Sequence, residues 1–332
     1  MKKIITTVMY HYVRDMHKTE FPGIKGVKCS DFREQIKYFD KYYNFISLGD
    51  CFDFLNGDES SLPKNPLLLT FDDGFIDHYE NVFPILKEFG ISGVFFPPVM
   101  TIRDNKILDV HKIHFILAGT NIKTVIEEIA NLLRIYKEEY KLNDFEFYYD
   151  KLSKANHLDC GDIIFVKRLL QVELDIEVRY LFTDILFKKF VNSDEHEFAR
   201  KIYLNENMMR EMYNAGMSFG GHGYNHLWLN SLTPAEQNFE VLESKKFLME
   251  IGVINKSSWS FCFPYGAYNN SLLEILRKNK CEIAFTTEVD FSEISEHNAL
   301  TLQRFDTIHF PFSSEIDANK LTLKSLEFNN IA

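Results

Sequence analysis

Apolar residues recur along the chain in two alternating rhythms. Short β-branched or continuous apolar runs, bounded by Gly, Asp or Asn, alternate with stretches whose apolar positions fall at helical spacing. Lys3–Met9, Phe45–Leu48, Leu67–Phe71 and Gly93–Phe96 read as strands. Leu67–Phe71 is close to uninterrupted in its apolar character, as a strand covered on both faces should be. Between them, Phe32, Ile36 and Phe39 predict a helix over Asp31–Tyr42 capped by Ser30. Asp50–Leu55 reads as a short helix ended by Gly57, and Tyr79–Phe89 as one stopped by Gly90. The rhythm returns later with helix Asn207–Asn214, strand Met217–Phe219, strand Ser258–Phe263, helix Ser271–Lys280, and strands Glu282–Thr286 and Leu300–Phe305. Thr233-Pro-Ala-Glu236 combines a capping threonine, a proline at the first helical position and a glutamate at the third, so it predicts a helix running to Ile251 and ended by Gly252. Repeated β–α units predict an α/β fold with a parallel sheet or barrel.

The stretch from Asp109 to Lys201 departs from this rhythm. It is poor in Gly and Pro and patterned for helices, for example over Asn121–Tyr140 and Asp162–Phe190. The expected organisation is one βα scaffold made of residues 1–108 and 202–332, with a helical insertion at 109–201. Whether the insertion pads the scaffold, covers a substrate or contacts another copy is open, as is the oligomeric state.

Composition narrows the class. With 332 residues, 45% apolar and 26% charged, the chain is globular in composition rather than disordered or collagen-like. Lys+Arg number 37 against 48 Asp+Glu, a net charge of −11 that argues against non-specific nucleic-acid binding. The 31 Phe and 16 Tyr suit a bulky core or a stacking cleft equally well. The five cysteines are scattered, without a CxxC pair, so a zinc ribbon or redox motif is not expected and a reducing, cytoplasmic compartment is. The opening MKKIITTVMYHYV superficially resembles a secretion signal. Thr6 and Thr7 break it, His11 and Arg14 follow, and no small-residue cleavage site appears, so it reads as a first strand. No run approaches the ~18 apolar residues of a membrane span.

Four segments carry chemistry, each where a predicted strand ends. Thr70-Phe-Asp-Asp-Gly-Phe75 delivers two adjacent carboxylates into a glycine turn. The two carboxylates repel each other, and burying either costs several kcal/mol unless a cation or hydrogen bonds compensate. A metal ligand beside a general base explains it, and so does a plain strand-to-helix turn. Gly220-Gly-His-Gly-Tyr-Asn-His226 places His222 and His226 four apart among glycines, a spacing at which both imidazoles can reach one ion. Two histidines and one aspartate leave positions on a zinc-like ion for water and substrate, the pattern of a catalytic site. Phe261-Cys-Phe-Pro-Tyr-Gly-Ala-Tyr268 is an aromatic turn, and Met9-Tyr-His-Tyr12 puts His11 at the end of the first strand. His111 and His114 form another near pair at the start of the insertion, where packing or surface roles are favoured over metal binding.

Taken together, these segments resemble the polysaccharide deacetylase (NodB-homology) superfamily of carbohydrate esterases. The TFDDG segment is similar to the family's first motif and His222–His226 to its H-x-x-x-H motif, with Gly223 where Ser or Thr is usual. FPYG is similar to the third motif, with Cys262 where many members carry arginine, and the YH segment resembles the poly-N-acetylglucosamine deacetylase branch. The resemblance covers about Lys3–Met100 and Asn205–Phe310. It implies a deformed (β/α)7-type barrel and metal-dependent removal of an N- or O-acetyl group from a carbohydrate. It further implies Asp73, His222 and His226 as ligands of a divalent metal, commonly zinc, with Asp72 as general base and the Tyr265 backbone N–H at the oxyanion. His11 is the first choice for the acid that protonates the leaving amine, with His309 the alternative and Asp306 or Arg304 able to tune either. Arg304 could orient Asp72 in place of the missing motif-three arginine. Rival readings are a deacylase of a small cyclic amide or formyl metabolite, and a non-catalytic carbohydrate-binding relative.

Overall fold

Residues 3–155, 159–255 and 258–330 are described by the structure, a computed structural model. They fall into two units. The first comprises the chain up to Arg14, Gly26–Lys106 and everything from Ala199 onward; the second comprises Asp15–Lys25 and Ile107–Phe198.

In the first unit the strands are β1 (Lys3–Tyr10), β2 (Asn44–Phe45), β3 (Pro66–Asp72), β4 (Val94–Phe96), β5 (Ser218–Phe219), β6 (Ser260–Cys262), β7 (Ile283–Phe285), β8 (Ser292–Ile294) and β9 (Phe305–Asp306). β1 pairs in parallel with β3, β3 with β4, β4 with β5 and β6 with β7. Two single bridges continue the ring, Gly221 to Phe261 and Phe285 to Leu302, and β9 returns to β1 in parallel with Val8 opposite Phe305. The result is a closed ring of seven parallel strands, β1, β3, β4, β5, β6, β7 and β9, with two of its seams reduced to one bridge each. This is the deformed (β/α) barrel that the β–α rhythm and the family resemblance imply.

Side-chain alternation divides each strand between two apolar layers. Leu67, Leu69 and Phe71 of β3 join Val8, Tyr10, Phe95 and the helix residues Phe32, Ile36 and Phe39 in the outer layer. Leu68 joins Ile5, Phe96, Cys262, Phe285 and Leu302 in the other, the barrel interior. Thr70 and Asp72 follow Leu68 at two-residue intervals, so the strand period aims Asp72 inward. Much of the chain's aromatic content is accounted for here: Phe71 stacks between Tyr10 and Phe95 with ring centroids 5.2 and 4.8 Å away.

Several predicted elements are redrawn by local chemistry. The helix at Cys29–Tyr42 begins before Ser30, which is therefore inside it and not its cap. Ser47, not anticipated as a cap, forms a capping box with Asp50 and starts its helix at Leu48. The helix expected at Tyr79–Phe89 opens with a widened π-turn, His78–Val82, because Pro84 has no N–H to return to the preceding turn. Leu300 lies in a 3₁₀ turn, Ala299–Thr301, and of the expected last strand Leu300–Phe305 only Phe305 is strand, in Phe305–Asp306. The helix Pro234–Ile251 keeps its expected limits, with the Thr233–Glu236 capping box and Gly252 in the left-handed region.

The second unit is helical, from Asp109–Gly119 through Ile176–Phe190. The long helices expected over Asn121–Tyr140 and Asp162–Phe190 are each interrupted, at Tyr136 and at a π-turn over Leu169–Glu173. Buried Lys112 bonds Asp184 and Glu195 at 2.6 and 2.9 Å. Burial raises the neighbouring Asp109 carboxyl to about 6, with Lys112 partly offsetting it. His111 is buried against His114, and neither belongs to a metal-ligating cluster among the described residues.

Candidate active site

The carboxyl ends of the barrel strands converge on one cluster, the usual location of chemistry in such folds. Asp72 closes β3, and Asp73 follows with φ +73°, its N–H donating to the Phe96 carbonyl at 3.0 Å. Beyond β5, Gly221 donates to the Ser260 carbonyl and accepts from the Cys262 N–H, at 2.9 and 2.8 Å. A Cβ at Gly221 would lie 2.7 Å from Ser244 Oγ, so only glycine allows this approach, and it sets the position of His222. The His222 Nδ1–H donates to the Cys262 carbonyl at 2.7 Å, which leaves Nε2 as the lone-pair nitrogen. That Nε2 is 3.4 Å from Asp73 Oδ1, and His226 Nε2 is 3.2 Å from the same oxygen.

Asp73, His222 and His226 are all buried, and one donor atom from each lies within 4.8 Å of the others. Two imidazole nitrogens and a carboxylate oxygen suit a divalent cation and leave coordination positions over. Asp73, His226 and Tyr265 hold left-handed backbone conformations at φ +73°, +56° and +57°. Each costs of order 1–3 kcal/mol for a non-glycine residue, and such strain collects at functional sites. Asp72, His222 and Cys262 also lie within 4.8 Å of one another. A guanidinium occupies that side, however, so this second set is closed to a cation.

The guanidinium is that of Arg304, which is fully buried. It binds Asp72 through two parallel bonds, Nη1 to Oδ1 at 2.9 Å and Nη2 to Oδ2 at 2.7 Å. Its Nε–H donates to the Thr286 carbonyl at 2.8 Å, and Nη2 lies 3.1 Å from Cys262 Sγ. Burial alone would raise the Asp72 carboxyl; the Arg304 pair more than offsets it, with smaller contributions from His222 and His11, and holds it at about 2. Burial pushes the Cys262 thiol up, which keeps it neutral beside this pair.

His11 is exposed just past β1, within the electrostatic reach of Asp72. Its carbonyl accepts from His78 Nε2–H at 3.0 Å; burial lowers His78 to about 4, so that ring is neutral. Arg14 grips Asp77 through two contacts of 2.6 and 2.5 Å, and Asp77 in turn accepts the Val13 N–H, bracing the segment after His11. His309 sits in the 3₁₀ turn after β9, its Nδ1–H directed to the Asp306 carbonyl at 3.1 Å and its ring edge-on to Phe305. The Asp306 carboxylate caps that turn by accepting the Ile308 N–H. The Tyr265 ring lies edge-on to His226 at 4.7 Å and flat against Trp228 at 4.4 Å.

Residues 183–284 match the family described as polysaccharide deacetylase, a stretch that contains both histidines and the FPYG turn but not Asp72 or Asp73. Over 90 residues the chain is 34% identical to YxkH of Bacillus subtilis (strain 168), a polysaccharide deacetylase by name; the alignment takes in 27% of this chain and 32% of that protein. Residues 183–284 are thus similar to a polysaccharide deacetylase domain. Its fold is shared with PplD, a Streptococcus pyogenes deacetylase solved with acetate, at a TM-score of 0.57, 20% identity and coverage of 98% and 99% of the two chains. IcaB from Ammonifex degensii gives a TM-score of 0.51 at 15% identity, covering 98% and 97%. The deacetylase domain of BpsB from Bordetella bronchiseptica gives 0.52 at 16% identity, covering 91% and 95%.

Arg304 reaches Asp72 from the opposite end of the sequence, at the place beside it that order along the chain suggested. Sequence reasoning missed four contributors: the Cys262 carbonyl on His222, His78 behind His11, Trp228 on Tyr265, and Glu240, whose buried carboxylate faces the His222–His226 loop. None has a signature. Glu240 reads as an ordinary polar position in a helix, and His78 as a histidine in a helical first turn.

Proposed function

We propose that this chain is a metal-dependent carbohydrate deacetylase that hydrolyses the N-acetyl group of an acetamido sugar. The observation that carries this reading is the buried Asp73–His222–His226 donor set beside the Asp72–Arg304 pair. A divalent cation held there, zinc being the ion that suits two imidazoles and a carboxylate, would acidify water and polarise the acetyl carbonyl. Asp72, ionised at all working pH values, takes the proton from the attacking water. A carboxylate near 2 is a weak base, so Arg304 holds Asp72 in place at some expense in basicity. The Tyr265 N–H donates to the developing oxyanion. Water oxygen adds to the acetyl carbon, the C–N bond breaks, and protonated His11 gives its proton to the departing nitrogen, releasing acetate and a free amine.

The Trp228–Tyr265 stack supports a sugar substrate, because pyranose C–H faces pack on flat aromatic surfaces. The five cysteines are free thiols, which supports a reducing, cytoplasmic compartment. Among the described residues no helix is long and apolar enough to cross a membrane. A deacetylase in that compartment meets biosynthetic intermediates, so the substrate is read as an acetamido sugar on a nucleotide, lipid or short oligosaccharide carrier used in surface-glycan assembly. The test is acetate release from such compounds and from finished polymers, with and without chelator, for the wild type and His222→Ala. Chelator-sensitive release from a small acetamido sugar, abolished in the variant, is expected; chelator-resistant release, or activity on long polymer alone, would overturn the reading.

Of the two acid candidates, His11 is the one in electrostatic contact with Asp72. His11→Ala is expected to lower turnover by about 10²–10⁴-fold and to remove the alkaline limb of the pH–rate profile, while His309→Ala keeps both. A wild-type alkaline limb in His11→Ala would move the role elsewhere.

A further inference from the structure

The four residues that join His222 to His226 and finish at the second ligand have their backbone groups distributed between two neighbours. Their carbonyls face the start of the helix Val99–Arg103: Gly223 O accepts from the Val99 N–H at 3.3 Å and Tyr224 O from the Met100 N–H at 3.0 Å. Their N–H groups face a single carboxylate. Glu240 Oε2 accepts from the Tyr224 N–H at 2.6 Å and the Asn225 N–H at 2.9 Å, and Oε1 accepts from Asn225 Nδ2–H at 2.7 Å. Glu240 is 2% exposed, and among the described residues its hydrogen bonds go to this loop. Burial raises its carboxyl, with the three loop donors opposing.

A buried carboxylate with no cation partner among the described residues is costly to maintain for packing alone. A residue contributing only helix surface could be apolar, as Val241 and Leu248 on the same helix are. Gly223 shows that the loop is fitted to the acid: it has φ +73°, and a Cβ there would lie 2.8 Å from Glu240 Oε2. The loop's path therefore leaves room at Gly223 for this carboxylate and closes around it at Tyr224 and Asn225. The path also carries His226 into its left-handed conformation at φ +56°, an arrangement that must be held from outside the loop.

We propose that Glu240 is the positioning residue of the metal centre: its carboxylate locks the 223–225 backbone so that His226 reaches the ion held with Asp73 and His222. This rests on the metal-dependent reading above, and the two are separable by experiment. Ligand-orienting groups of this kind are typically worth about 10–100-fold in metal affinity.

The experiment measures zinc affinity, by competition with a chromogenic chelator, for the wild type, Glu240→Gln, Glu240→Ala and Asn225→Ala. Amide exchange at Tyr224 and Asn225 is measured on the same proteins without metal. Glu240→Gln keeps an acceptor for both backbone N–H groups and is expected to hold zinc within a few-fold of wild type. Glu240→Ala is expected to lose about 10–100-fold in affinity and to exchange the two amides faster before any metal is added. Asn225→Ala removes one of the three bonds from a half-buried loop position without touching the helix, and is expected to lose about tenfold. It decides the matter should Glu240→Ala fail to fold. Wild-type zinc affinity and amide protection in Glu240→Ala, or in Asn225→Ala in that event, would overturn the proposal. If the wild type itself binds no zinc, the metal-dependent reading fails, while the exchange of the two amides still reports whether Glu240 locks the loop.

Discussion

Asp72→Asn is expected to retain the proposed metal and to lose turnover by about 10²–10⁴-fold. The substitution keeps one acceptor oxygen for Arg304 and removes only the proposed proton acceptor, because Asp73, the carboxylate in the candidate donor set, is a different side chain. Zinc content and acetate release on the same preparation check this. Loss of metal in Asp72→Asn would mean that the two aspartates share ligation, and near-normal turnover would mean that another group is the base. A lower melting temperature is expected alongside, since Arg304 then lies buried without its counter-charge.

Arg304→Leu has the larger effect on stability. It strands Asp72 as a buried carboxylate and removes the partner of the Thr286 carbonyl, and breaking such a pair costs about 3–5 kcal/mol. For a chain of this size the melting temperature should fall by about 10 °C. The loss depends on pH. Asp72 is depressed from 3.8 to about 2 by the pair, so its contribution is fully present above pH ~4 and disappears as pH falls towards 2. Wild type and variant should therefore differ most at neutral pH and converge in acid. The double variant Arg304→Leu/Asp72→Asn should recover part of the loss, because it removes the stranded charge as well. A gap between wild type and Arg304→Leu that is independent of pH from 7 to 3 would show that packing, not the ion pair, is what Arg304 supplies. Arg304→Lys should fall between the two, since an ammonium cannot reproduce two parallel bonds.

Legibility in the sequence followed the range of the forces involved. The helix Pro234–Ile251 was readable to the residue, because Thr233, Pro234, Glu236 and Gly252 act within one turn of where they stand. The inward aim of Asp72 follows from a period of two and needs no tertiary information. Strand β8 was not legible: its three residues, Ser-Glu-Ile, carry no pattern and form a strand because the first residues of β1 offer an antiparallel edge. The last barrel strand was overread, since Leu300–Phe305 has the composition of a strand but contributes one bridge at Leu302 and a two-residue strand. The short motifs brought out Asp72, Asp73, His222 and His226 because their spacing is local. Glu240, His78 and the Cys262 carbonyl act across distances in sequence that no motif spans. Arg304 lay between these cases, suggested by strand order and located by its bonds to Asp72.

The single-bridge seams and the return of β9 to β1 bear on how this protein is made. Val8 and Phe305 are neighbours in the barrel, yet about 300 residues of synthesis separate them. During that interval one edge of β1 has no permanent partner, and the Ile107–Phe198 part of the helical unit is translated between β4 and β5. Local helices such as Pro234–Ile251 can form as they emerge, but the ring closes only after Phe305 leaves the ribosome. Such long-range closure is slow and leaves unpaired strand edges exposed to other nascent chains. Truncation just before Leu302 would remove the closing strand and Arg304 together, leaving a barrel open at the edge where Asp72 most needs its counter-charge.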